Sequence, residues 1–184
     1  ANEKGGAVFT TSAYALLFSS VAFMLLGSGF TGSIAQGIGF PAYGTSVLLL
    51  VIIIGIDALT TVPMARLRQQ GRAWRFATIN ILSVLVNVVL NLFIFLYCMK
   101  KFNAGETNAV IDAVYDPSFG VGYVFLINLI STGVKLVMLL PEWPPFKAFS
   151  KPLLRTLLAF GAPLMIAGLA GMVNETADRI ILKY

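Results

Sequence analysis

The chain has 184 residues, 58% of them hydrophobic and only 11% charged, with no histidine, one cysteine and a formal net charge of +5. An ordinary soluble domain carries about 25% charged residues, and the mean hydropathy here is +0.85. A lone Cys98 excludes an internal disulfide, the lack of histidine argues against a zinc or haem site, and without a G-x-x-x-x-G-K-[S/T] loop the chain is not itself a P-loop ATPase.

Five apolar runs of bilayer-spanning length predict an all-α, polytopic transmembrane helical bundle. The runs are continuous rather than alternating, which disfavours a β-barrel. The first span covers residues 7–26; its apolar run is too long for a signal peptide and has no basic leader. Residues 27–44 carry no charge, are rich in glycine and end near Pro41, so they read as a turn region. The second span covers 45–67, the third 74–99 and the fourth 120–140. The fifth covers 153–182, with Pro163 expected to bend or start the helix. Ser150 is placed to cap it, and Pro144 and Pro145 stiffen the approach. Trp74 and Trp143 are placed to anchor at an interface.

Charge in the connections sets the expected orientation. Arg66, Arg68, Arg72 and Arg75 lie between the second and third spans, and Glu142, Lys147, Lys151 and Arg155 between the fourth and fifth. Between the third and fourth, Lys100 and Lys101 are outweighed by Glu106, Asp112 and Asp116. The positive-inside rule puts the second–third and fourth–fifth connections and the N-terminus in the cytoplasm. The basic residues thus read as topology and anionic-lipid contact; nothing suggests nucleic-acid binding. The chain starts with Ala1 and stops just after an apolar run, so it reads as a fragment of a longer membrane protein.

Polar residues inside spans are the candidate site, because a charge at the bilayer centre costs roughly 2.5–3.5 kcal/mol on insertion scales. Asp57 sits mid-span with Thr60, Thr61 and Met64 on its helical face. It reads as a coupling carboxylate for H⁺ or Na⁺, or as a hydrogen bond to a neighbouring helix. Asn80, Asn87 and Asn91 share one face of the third span and suit either a sugar-binding cavity or interhelical hydrogen bonds. Asn128, Ser131, Thr132 and Lys135 form a stripe on the fourth span. Lys135 either snorkels to the interface or contacts a phosphate. On the fifth span, Glu175 with Arg179 and Asn174 with Asp178 are spaced i,i+4 and pair readily at a helix end.

Three stretches carry a family resemblance: DALTTVPMARLRQQGRAWRFATINILSVLVNVVLN (57–91), DPSFGVGYVFLINLISTGVKLVMLLPE (116–142) and LLRTLLAFGAPLMIAGLAGMVNETADRIILKY (153–184). Together they resemble the Wzx-type polysaccharide (O-antigen) flippases of the multidrug/oligosaccharidyl-lipid/polysaccharide exporter superfamily. The third stretch, with its Phe-Gly-x-Pro-Leu entry and Asp-Arg exit, is the most specific. The resemblance implies about five spans of a larger two-lobe transporter with twelve to fourteen. Residues 1–141 would be part of the N-terminal lobe, 142–152 the cytoplasmic inter-lobe linker, and 153–184 the first helix of the C-terminal lobe.

The resemblance further implies a transporter, not an enzyme, in the bacterial inner membrane. It would flip lipid-linked (undecaprenyl diphosphate) oligosaccharide by alternating access, driven by an ion gradient, with no cofactor and with the rest of the same chain as its necessary partner. By position, Lys135 and Arg179 would meet the diphosphate, Arg68 would stand at the cytoplasmic mouth, and Asp57 would couple or contact sugar. Asn87, Asn91, Asn128, Glu175 and Asp178 complete the candidate cavity. A multidrug cation antiporter and a peptidoglycan-precursor flippase are alternatives within the superfamily. A membrane-embedded glycosyl or phosphoglycosyl transferase, or a scaffold, stands outside it.

Overall fold

The computed structural model describes residues 3–37, 39, 43–105, 114–144 and 149–181, excluding the side chains at 3, 4, 174 and 178–181. Pro41, Glu106, Asp112, Pro145 and Lys147 lie outside the described residues. The order is α1 (Glu3–Gly29), α2 (Thr31–Gly37), α3 (Gly44–Gln69), α4 (Ala73–Asn91), a π-helical segment (Leu92–Cys98), α5 (Met99–Asn103), α6 (Gly122–Leu139) and α7 (Lys151–Ile181). Among the described residues there is no strand. Five helical stretches are long and apolar enough to cross a membrane: Gly5–Gly29, Gly44–Gln69, Ala73–Asn103, Gly122–Glu142 and Lys151–Ala177. The protein is an all-α, multi-pass helical bundle.

Three local expectations change. The glycine-rich stretch after the first span contains a helix, α2, which packs on α3 and buries Ala35 completely; packing overrides the poor propensity of its glycines. The third span is not one regular α-helix, because its ladder widens to π geometry over seven residues after Asn91. The fifth span runs without a break from Lys151 through Pro163 to Ile181; proline is tolerated in such helices where neighbouring groups re-satisfy the freed carbonyl.

The chain divides into two compact units. Residues 16–144 form the larger. In it, α6 packs against both α3 and α4. The end of α3, the start of α4 and the end of α6 meet in a cluster of Met64, Leu67, Ile79 and Leu139, with Phe76 and Met138 against it. At the other end, Ile94 and Cys98 meet Tyr123 and Ile127 of α6. Helices α3 and α6 therefore run parallel, with α4 antiparallel to both.

The α3–α4 turn is a Schellman motif. Gly71 takes φ +68°, its N–H donates to the Arg68 carbonyl (3.1 Å), and the Arg72 N–H donates to the Leu67 carbonyl (3.0 Å). This delivers Arg72 to Glu142, just past α6. Arg72 and Arg75 pair with the Glu142 carboxylate at 2.9 and 3.0 Å, and Arg66 donates to its backbone carbonyl at 3.3 Å. Glu142 is only 7% exposed. Trp143 follows it half-buried, with no acceptor for its indole N–H among the described residues, whereas Trp74 is 88% exposed, as an interfacial anchor requires.

The second half of α1 lies against α3 where glycines allow it. A Cβ on Gly27 would sit 2.6 Å from Val51 Cγ1, and one on Gly55 would overlap Met24. Such small residues let membrane helices approach closely without a hydrophobic drive.

The smaller unit comprises residues 1–15 and 145–184. Within it Thr11 is fully buried, and its Oγ1 accepts from the Ser150 N–H at 3.4 Å. Ser150 also offers its carbonyl to the Leu154 N–H at 3.0 Å, opening the first turn of α7. Most of α7 is exposed and apolar, a surface suited to lipid or other helices.

Candidate functional site

The stripes on α3, α4 and α6 meet in one polar groove. One part, of about 400 Å³, is lined by Asp57, Thr60, Thr61, Met64, Arg68, Phe76, Asn80 and Lys135. An adjoining part, of about 290 Å³, is lined by Asp57, Ser83, Val84, Asn87, Asn128, Ser131, Thr132 and Lys135. Asp57 and Lys135 border both parts, at the middle.

The local reasons are simple. Asp57 and Arg68 are eleven positions apart, which returns to the same face of α3 about 16 Å further along. Asn128, Ser131 and Lys135 follow i, i+3, i+7 spacing on one face of α6. Because α3 and α6 run parallel, Arg68 and Asn80 lie on the arginine-turn side of the groove, with Lys135 beside Asp57 at the middle. Asn87 and Asn128 lie on the other side.

The amide end is internally bonded. Asn87 Nδ2 donates to Asn128 Oδ1 at 3.3 Å and to Ser131 Oγ at 3.2 Å. Asn91 Nδ2 donates to Asn87 Oδ1 at 3.0 Å and to the Asn87 carbonyl at 2.9 Å. Ser83 Oγ donates to the Ser131 carbonyl at 3.1 Å. These bonds tie α4 to α6.

The charged end differs. Among the described residues, no ion pair or side-chain hydrogen bond engages the Asp57 carboxylate or the Lys135 ammonium. Two opposite charges therefore face one groove without neutralising each other. Arg68 holds its guanidinium 5.4 Å from the centre of the Phe76 ring, in cation–π contact. Thr60 and Thr61 donate their hydroxyls to the Asp57 carbonyl at 2.8 and 3.3 Å, within the turn before Pro63. Such back-bonding spends the hydroxyl protons and leaves only oxygen lone pairs for a ligand.

The structure thus brings Asp57, Asn87, Asn128, Lys135 and Arg68 together, with Asn91 bonded behind Asn87. Glu175 lies exposed on α7, in the smaller unit. The side chains of Asp178 and Arg179, also on α7, lie outside the described residues. Sequence reasoning missed Glu142: it sits at the edge of a span among basic residues, and only its position after α6 reveals the arginines around it. Comparison with protein-family models, with curated proteins and with solved structures gives no match to this chain.

Proposed function

We propose that the chain is part of a membrane transporter that flips lipid-linked oligosaccharide, of the undecaprenyl diphosphate kind, across the bacterial inner membrane for polysaccharide export. The observation that carries this reading is the pair Asp57, at mid-span, and Lys135, which share one groove and, among the described residues, form no ion pair. Uncompensated charge at that depth is expensive and is kept where a ligand or water neutralises it. Lys135 and Arg68 suit phosphate oxygens through charge-assisted hydrogen bonds. Asp57 is the coupling group for H⁺ or Na⁺. The groove is open on one side, and the remainder of a two-lobe chain would close it, giving alternating access. The arginine turn faces the cytoplasm by the positive-inside rule. A multidrug cation antiporter fits less well, because two cations share the groove with one carboxylate.

Deleting the full-length gene is expected to trap lipid-linked oligosaccharide on the cytoplasmic leaflet; normal surface polysaccharide in the deletion strain would overturn the reading. In complementation, Lys135→Ala is expected to abolish export and Lys135→Arg to retain part of it, while Asp57→Asn impairs export at normal expression.

A further inference from the structure

Resting on the transport reading above, we infer that the groove is built for a zwitterionic headgroup: a glycan phosphate that also carries a free ammonium group. The phosphate lies at Lys135 on the Arg68 side, and the ammonium lies at Asp57.

The argument begins with charge. The groove presents one carboxylate and two cations, and among the described residues none of the three is ion-paired with another. A purely anionic ligand would satisfy Lys135 and Arg68 and leave Asp57 as a second anion beside it. A purely cationic ligand would satisfy Asp57 and leave two cations. Once the groove closes, any charge left without a partner bears the desolvation penalty. A ligand bearing both signs neutralises both kinds of group at once.

A second observation concerns hydrogen-bond polarity. Beside Asp57 the Thr60 and Thr61 hydroxyl oxygens and the Asn80 amide oxygen offer acceptors. The Thr60 and Thr61 hydroxyl protons are committed to the Asp57 carbonyl. Asn80 Nδ2 donates one of its two N–H groups to the Phe76 carbonyl at 3.1 Å, and its Oδ1 remains an acceptor. An ammonium group brings three donors and no acceptor, so it matches this surface. An N-acetyl group in the same place carries no positive charge to offset Asp57.

The test uses the full-length protein, purified in neutral detergent, with glucosamine 1-phosphate and N-acetylglucosamine 1-phosphate as probes in binding titrations. Wild type is expected to bind the amine form about tenfold more tightly. Asp57→Asn should erase that preference by weakening the amine probe relative to the N-acetyl probe, Asp57→Glu should keep it, and Lys135→Ala should weaken both probes. Thermal unfolding of each variant confirms that it is folded. Equal binding of the two probes by wild type, a preference that survives Asp57→Asn, or no binding of either probe overturns the inference. Equal binding alongside lost export in the deletion strain leaves the transport reading standing. Normal surface polysaccharide in that strain removes both.

Discussion

Arg72 donates through Nη1 to both carboxylate oxygens of Glu142, at 2.9 and 3.0 Å, joining residues 70 positions apart. Arg75 reaches the same carboxylate and Arg66 the adjoining carbonyl. One acid thereby holds the α3–α4 turn against the end of α6. Glu142→Gln is expected to lower stability by about 1–3 kcal/mol, since hydrogen bonds to a charged group contribute that order and both arginines remain partly solvated. Arg75→Ala should cost less, because Arg72 keeps the contact. Thermal unfolding of the full-length protein checks the order; an unchanged midpoint in Glu142→Gln would show that the clamp does not stabilise the bundle.

The α1–α3 contact depends on a missing side chain. Gly27→Ala places a methyl 2.6 Å from Val51 Cγ1, a short and buried neighbour that cannot swing away. Overpacking of this kind costs about 1–3 kcal/mol. Gly37→Ala meets open space and serves as the control. Equal unfolding midpoints for the two variants would contradict the close packing.

The amide network predicts a modest effect at Asn87. Asn87→Ala removes the bonds to Asn128 and Ser131 and one acceptor for Asn91. Interhelical hydrogen bonds in membrane proteins average about 0.6 kcal/mol, so a loss on the order of 1 kcal/mol is expected for the set. Asn128→Ala, which removes one bond to Asn87, should lose less. A double-mutant cycle reads the coupling, and strict additivity would show that the two amides do not interact.

The turn before α6 carries a pH dependence. Asp116 accepts from the Ser118 N–H at 2.8 Å, and the hydrogen bonds from the Ser118 side chain and backbone hold its carboxyl below the ordinary carboxylate value of 3.8. The Tyr123 hydroxyl pins the same turn, accepting from the Asp116 N–H at 2.6 Å and donating to the Val114 carbonyl at 3.0 Å. A depressed folded-state pKa adds stability above the unfolded value and loses it as pH falls through the folded one. The Ser118 amide should therefore keep its hydrogen-exchange protection through neutral and mildly acidic pH and lose it only below about pH 3.8. Asp116→Ala should lack that protection at every pH. Loss of protection well above that value in the wild type would contradict the bond.

Much of the architecture was legible in the residues. Helical spans follow from apolar run length, because a chain in lipid must satisfy its backbone internally. The stripes on the second, third and fourth spans follow from helical periodicity, and so does the prominence of Asp57 and Lys135. The π-helical segment was not legible, since Leu92–Cys98 reads like any apolar helix; in the structure its Ile94 and Cys98 pack against α6. Nor was α2, which rests on its contact with α3.

The sequence by itself determined an all-α membrane protein, its five spans and the faces that carry polar groups, because run length and periodicity are properties of a single helix. Only the tertiary structure decided which polar groups meet. The parallel course of α3 and α6 sets Asp57 and Lys135 along one groove, where among the described residues they form no ion pair, whereas Asn91 bonds Asn87 and Asn87 bonds α6. The same packing turned an arginine-rich loop into a clamp around Glu142. Those outcomes depend on relative rotation and depth of helices far apart in the chain, which no single helix encodes.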